Sequence, residues 1–213
     1  MCCSGDGKRC KKTVEKIGGV FCTQKQTLTV AELLQRNDEY PLVDVEKETF
    51  SPPPAWMTDD LLIISDTHFF EKDRNVYPRR VPGWKKLIIQ NWNKAVRDGQ
   101  VILHLGDLYY GNKKYGQELL GALKGCKRLL LGNHDKKIPL PVLRSHGCFD
   151  EIFEKPFLCF EYRGMKLVFS HFPCILSEPG VYNIHGHVHD HAHDCIDDQH
   201  FNVSVENTSY API

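Results

Sequence analysis

The chain has 213 residues and a formal net charge of zero, 27 Lys+Arg against 27 Asp+Glu, with 41% hydrophobic and 25% charged residues. That composition excludes collagen, coiled coil and wholesale disorder. The charge balance excludes bulk attraction to nucleic acid or an anionic membrane and leaves only a local patch open.

The length predicts one catalytic-size domain plus an appendage, able to bury roughly 70% of its unfolded surface. Residues 1–58 read as the appendage. They predict a hairpin, Thr13–Val14 with Val20–Phe21 around Gly18-Gly19, and a capping box, Thr29 to Glu32, that opens a short helix at Leu33-Leu34. Ser51-Pro52-Pro53-Pro54 is a stiff linker that neither helix nor sheet accepts. No apolar stretch follows the basic residues Lys8 to Lys16, so no secretory signal is expected. No run approaches the roughly 18 apolar residues of a membrane helix. The nine cysteines are an odd number, and Cys2, Cys3, Cys10 and Cys22 lack CxxC spacing. They read as free thiols of a reducing compartment, predicting a cytoplasmic protein.

From residue 59 to 213 strands and helices alternate. Leu61–Ile64 is an unbroken apolar run, as in a strand buried on both faces. Trp84, Leu87, Ile88, Trp92, Ala95 and Val96 lie at helical spacing between Pro82 and Gly99. Val101–Leu105, a short helix at Leu119–Leu123 and Arg128–Leu131 continue the rhythm, which implies a mainly parallel sheet. A β-rich half follows: Phe157–Tyr162 and Met165–Ser170 about an Arg163-Gly164 turn, then Val181–His185 and Phe201–Glu206.

Nearly every one of these strands runs into metal-competent residues. They are Asp66 and His68, then Asp107, then Asn133-His134-Asp135, then His171, then His187 and His189. In open α/β sheets ligands bind beyond the carboxyl ends of strands, so five such loops can line one crevice. Short pairs such as Asp-x-His arise by chance about once in such a composition, and Asp198-Gln199-His200 is one. Gly132-Asn133-His134-Asp135 is expected roughly 0.003 times.

This series, Asp66-x-His68, Gly106-Asp107, Gly132-Asn133-His134-Asp135, His171 and Gly186-His187-x-His189, resembles the signature of the calcineurin-like metallophosphoesterases. The ending Asn202 to Glu206 is similar to small bacterial and phage members. The resemblance implies an α/β fold, a four-layer α/β/β/α sandwich of two mixed sheets, with the N-terminal appendage outside it. It implies hydrolysis of phosphomono- or phosphodiesters by metal-activated hydroxide, with Asp107 bridging two divalent ions. Asp66, His68 and His189 complete one site, and Asn133, His171 and His187 the other. Imidazole and oxygen donors without thiolate suit Mn, Fe, Zn, Ni or Co. His134 would donate a proton to the leaving group, with Asp135 orienting its ring. The other reading of His134 is a residue that fixes Asn133.

Several residues keep two readings. Arg74, Arg79 and Arg80 either pair with substrate phosphate or are solvated. Tyr109 and Tyr110 either stack on a base or pack their loop. His104 and His185 read as core or supporting residues rather than ligands. His191, His193 and Asp194 read as a solvated loop ahead of a third metal site. Leu108-Tyr109-Tyr110 after Asp107 departs from the Arg-Gly of protein Ser/Thr phosphatases and symmetrical dinucleoside tetraphosphatases, and His134 from the Arg of lipid A pathway pyrophosphatases. The expected partner is a small phosphoester, with nucleotides and cyclic nucleotides among the candidates, and no membrane. A nuclease and a non-catalytic scaffold are the alternatives. Neutral charge and the filled ligand positions disfavour them in turn. Oligomeric state is not legible.

Overall fold

The computed structural model describes residues 47–69, 80–109, 113–176, 179–190 and 198–213, together with the backbone of three short strands before them. These strands are β1 (Lys11–Thr13), β2 (Val20–Cys22) and β3 (Leu42–Val43), and β1 pairs antiparallel with β2. The helix expected after Thr29 lies outside the described residues.

Two four-stranded sheets form the framework. In the first, β4 (Leu62–Ile64), β5 (Val101–His104), β6 (Cys126–Leu130) and β7 (Glu151–Phe153) lie in chain order and run parallel. The crossovers contain α1 (Trp84–Ala95), α2 (Lys113–Ala122) and α3 (Leu140–Arg144). In the second sheet, β8 (Phe157–Tyr162) and β9 (Met165–Ser170) form an antiparallel hairpin. Its turn residues, Arg163 and Gly164, have φ of 51° and 77°, the twist that a two-residue hairpin loop requires. After the short β10 (Ile175–Leu176), which pairs parallel with β3, β11 (Val181–His185) and β12 (His200–Asn202) join β9 in parallel. The expectation of two mixed sheets is thus refined: the first is parallel throughout because every connection in it is a crossover.

Side-chain alternation along each strand divides the core in two. Ile64, Ile102 and Leu129 face Ile88 and Trp92 of α1, Leu119 and Leu120 of α2 and Leu143 of α3. Leu103, Leu105 and Leu130 face the other way, onto Leu158, Leu167, Phe169, Ile184 and Phe201 of the second sheet. All three described α-helices pack on the first sheet. Trp56 and Met57 pack into the inter-sheet core, and Ser51 bridges Phe160 beside β8.

The two sheets are also stitched edge to edge. The Ser65 amide donates to Val203 O at 3.2 Å, and the Val205 amide donates back to Ser65 O at 3.2 Å. Ile63 and Ile213 exchange backbone bonds of 2.7 and 3.0 Å, so the last residues cover the outer edge of β4. The strand expected to run to Glu206 stops at Asn202. Beyond it the chain turns, with Ser209 and Tyr210 both at positive φ (56° and 61°), and brings Ser204 and Glu206 back toward the strand ends. The sequence reading missed β7 and α3, which are short, of 3 and 5 residues, and α3 carries its own proline at Pro141.

Phe169 is 1% exposed and stands on the strand that delivers His171. Phe169→Ala should destabilise the protein by about 3–5 kcal/mol, through lost burial and a residual cavity. Denaturant melts of the two proteins measure it, and a loss under about 1 kcal/mol would mean that the two sheets collapse onto the gap.

Candidate metal centre

The carboxyl ends of β4, β5, β6, β9 and β11 meet in one crevice, and each delivers part of a cluster. Bringing these donors together strains the backbone. Of the eight non-glycine residues with positive φ among the described residues, five belong to the cluster: Asp66 (59°), His68 (45°), Asp107 (56°), His187 (70°) and His189 (49°). Such conformations cost about 1–3 kcal/mol each and persist only where neighbours enforce them. Here the Asp66 amide donates to Gly106 O and the His68 amide to Asp107 O, both at 3.0 Å. The glycines of the motifs have a matching reason. A Cβ on Gly106, at φ 98°, would run into the backbone of Gly132 and the His171 ring, and one on Gly186 would overlap Ser65 Oγ and Asp66 Oδ2.

Each buried carboxylate has one oxygen committed and one facing the imidazoles. Asp66 Oδ2 accepts the His187 amide and the Ser204 hydroxyl, at 2.9 Å each. Asp66 Oδ1 receives no hydrogen bond among the described residues, and stands 3.7 Å from His68 Nε2 and 3.8 Å from His189 Nε2. Asp107 Oδ1 accepts the His134 amide at 2.9 Å. Asp107 Oδ2 lies 3.5 Å from His68 Nε2 and 3.4 Å from His171 Nε2, between two imidazoles from opposite sides of the crevice. Asn133 Oδ1 is 2.8 Å from His171 Nε2, and the His187 ring stands 5.1 Å from that of His171. The ring orientations are enforced from behind. His171 Nδ1 donates to Leu105 O at 2.9 Å and His189 Nδ1 to Glu206 Oε1 at 3.1 Å, which leaves Nε2 of each facing the cluster.

Burial alone would raise the carboxyl pKa values. The His68 imidazole beside it and the charges of His189 and His171 overrule it for Asp66 and hold it well below the usual carboxylate range, and Asp107 is lowered mainly by His171. His171 in turn is raised, against burial, by Asp107. His187 is pushed down to about 4, first by burial and then by the charge of His171. These residues fit divalent cations. Within the sets Asp66–His68–His189 and Asp107–His171–His187, the donor atoms lie within 4.8 Å of one another. A buried carboxylate oxygen with no hydrogen bond among the described residues, Asp66 Oδ1, faces the first set.

Other expected residues stand elsewhere. His134 lies at the mouth, 22% exposed, with Nε2 3.9 Å from Asp107 Oδ2 and its ring edge-on to His68. Asp135 does not play the orienting role expected of it. Its Oδ2 accepts the amides of Asp107 (2.7 Å) and Gly132 (2.9 Å), and its Oδ1 that of Leu108 (3.0 Å), so it locks two loops together. Burial and the charge of Asp107 push it up to about 6. Tyr109 is corrected as a substrate residue. It is 1% exposed, packed against Gly116 of α2, with its hydroxyl 2.6 Å from His146 Nε2, and it cannot stack on a base without unpacking. Arg80 also points inward, onto Glu206 and the carbonyls of Asp66 and Thr67. Arg74, Arg79, Tyr110, His191, His193 and Asp194 lie outside the described residues. His104 supports the site as expected. Its Nε2 meets Thr67 Oγ1 at 3.1 Å and its Nδ1 accepts the Gly106 amide at 3.2 Å. Burial pushes both His104 and His185 down to about 3, so each stays neutral.

Carboxylate oxygens placed between imidazoles suit divalent cations, which in phosphoester hydrolysis activate water and offset phosphoryl charge. The chain belongs to the calcineurin-like phosphoesterase family, whose pattern matches residues 60–208, and its His/Asp cluster supports a metallophosphoesterase. The family uses divalent metals. Over 170 residues the chain is 33% identical to the uncharacterized protein MJ1445 of Methanocaldococcus jannaschii, covering 72% of this chain and 85% of that one. The crystal structure of AQ665, a protein of unknown function from Aquifex aeolicus, superposes with a TM-score of 0.58 at 29% identity. It covers 72% of this chain and 94% of that one.

The shifts define a pH profile for the chelator-stripped protein. His104, His185 and His187, depressed to about 3, 3 and 4, add stability above their unfolded value of 6.5 and lose it as pH falls through their folded values. Asp135, raised to about 6, opposes them as a single group. His171, raised above 6.5, adds stability below 6.5 and loses it as pH rises through its folded value. Stability should therefore climb toward pH ~6.5 and then fall. Divalent metal should remove the falling limb, because a bound cation takes the place of the His171 proton. Thermal melts from pH about 5 to about 9, with and without metal, check it, and identical profiles would refute it.

Proposed function

We propose that this chain hydrolyses small phosphomono- or phosphodiesters with two divalent transition-metal ions, Mn, Fe, Zn, Ni or Co, nucleotides and cyclic nucleotides being the candidate substrates. The observation that carries this reading is the position of Asp107 Oδ2, 3.5 Å from one imidazole set and 3.4 Å from the other. A single oxygen so placed is suited to be shared by two cations. Asp66, His68 and His189 would complete the first site, and Asn133, His171 and His187 the second. Cations bound there would lower the pKa of a water nucleophile and offset charge on the phosphoryl oxygens.

The protein's own contribution is positioning. The paired oxygens of Asp66 and Asp107 are committed to amides and a hydroxyl, so each carboxylate presents one oxygen in a fixed direction. His134 is held by its own backbone amide on Asp107 Oδ1, with its ring at the mouth, where a leaving group would depart. We assign it the proton donor. The Cys126, Cys148, Cys159 and Cys174 thiols are free, which supports a cytoplasmic setting. No described helix is long and apolar enough to cross a membrane.

A panel of p-nitrophenyl phosphate, bis-p-nitrophenyl phosphate, 2′,3′-cyclic nucleotides and oligonucleotides, assayed after metal reconstitution, tests the substrate class. Turnover of oligonucleotides alone would overturn the small-substrate reading in favour of a nuclease. Asp107→Asn should lower occupancy of both cations, since it weakens the charge that each site shares, and elemental analysis reads this directly. His134→Ala should lose about 10²–10⁴-fold in kcat/KM on a nucleotide ester with a poor leaving group. It should lose less on a p-nitrophenyl ester and keep its metal. Equal losses on both esters at full metal content would refute proton donation.

A further inference from the structure

Arg80 and Glu206 are 126 residues apart in sequence and form a buried pair behind the first donor set, with Arg80 Nε donating to Glu206 Oε1 at 2.5 Å. Their side chains are 1% and 6% exposed. A guanidinium is brought into such a place only where its donors are met, and here they are met by backbone that carries cluster residues. Nη2 donates to the Asp66 carbonyl at 2.6 Å and Nη1 to the Thr67 carbonyl at 3.3 Å. The guanidinium carbon lies 4.2 Å above the Trp84 ring, at the start of α1. On the other side, Glu206 Oε1 accepts Nδ1–H of His189 at 3.1 Å, which turns His189 Nε2 toward Asp66 Oδ1. The turn that holds Glu206 is itself tied to the same loop, through Asn202 and Asn207 amides on the His189 carbonyl at 2.7 and 2.6 Å.

Among the described residues the pattern of contacts is selective. Arg80 and Glu206 reach Asp66, Thr67 and His189, that is, the loop after β4 and the loop after β11. The second donor set is braced by different groups: His171 by Leu105 O, and the loop of Asn133 by Asp135. From this asymmetry we infer that Arg80 and Glu206 are positioning residues for the first metal site alone: the carboxylate aims His189, and the guanidinium holds the backbone of Asp66 and Thr67 against their strained turn. The inference rests on the two-cation reading above. Lysine cannot reproduce it, because an ammonium lacks the planar fork that reaches Glu206 and two carbonyls together. Glutamine at position 206 keeps an oxygen for Nδ1–H but loses the charge that pairs with Arg80.

Titration of the metal-free protein with Co²⁺, followed by its visible absorption and by elemental analysis, tests this without any assay of activity. His189→Ala and His171→Ala supply the reference spectra of proteins lacking one site or the other. Glu206→Gln and Arg80→Lys should each weaken the first site about 10–100-fold and leave the second unchanged, the effect expected when a group that orients a metal-binding histidine is altered. Glu206→Ala should weaken the first site more than Glu206→Gln, since it removes the acceptor as well. A merely structural pair would lower the melting temperature and affect both sites alike or neither. That outcome, in a parent protein that takes up two cations, overturns this inference alone. A parent that takes up fewer than two overturns the two-cation reading and this inference with it. If Glu206→Ala fails to fold, the two conservative variants still decide the question.

Discussion

The structure depends on how two buried carboxylates divide their oxygens. Asp66 and Asp107 are ionised although almost no solvent reaches them, because imidazoles surround one oxygen of each and backbone amides hold the other. Left alone, two such charges would repel one another and resist burial. His171, raised by Asp107, offsets part of that charge where it is protonated, and cations would offset more. The same division of oxygens leaves Asp107 a single oxygen, Oδ2, to present to the imidazoles on either side.

That arrangement cannot be built on a single sheet. Asp66, His68, Asp107 and Asn133 come from the parallel sheet, and His171, His187 and His189 from the mixed one. The apolar layer around Leu103, Leu105, Phe169 and Ile184 therefore sets the distance between the two halves of the site. The edge contact of Ser65 with Val203 and Val205 fixes their relative slide. The left-handed residues are concentrated where these halves meet, and the burial of the two cores offsets their strain.

The histidines are oriented in turn by groups that never enter the crevice. Leu105 O sets His171, Glu206 sets His189, and the neutral His104 links the Gly106 amide to Thr67. Asp135 belongs with this supporting group. Its place beside His134 in sequence suggested a partner for the ring, whereas its side chain turns the other way, into the amides of three residues on two loops. A carboxylate within reach of several converging N–H groups is captured by them, and neighbouring positions in sequence do not decide which way it turns.

What the sequence determined by itself is the part governed by local rules. Unbroken apolar runs ending in Asp, Asn and His marked the strands and the loops beyond them, because a strand buried on both faces must be apolar until it emerges. The hairpin bounds at Phe157–Tyr162 and Met165–Ser170 were legible for the same reason, together with the Arg163-Gly164 turn. The glycines beside Asp107 and His187 were visible as letters, but their cause, the absence of room for a Cβ, appears only when Gly132 or Ser65 is brought alongside. Tyr109 and Arg80 show the other limit. Each follows a cluster residue or a long loop and looked accessible, yet tertiary packing buries Tyr109 beneath α2 and draws Arg80 onto Glu206, 126 residues away. No periodicity encodes such a pairing, because it depends on where the chain's last turn crosses the strand ends, and only the packing of the two sheets decides that.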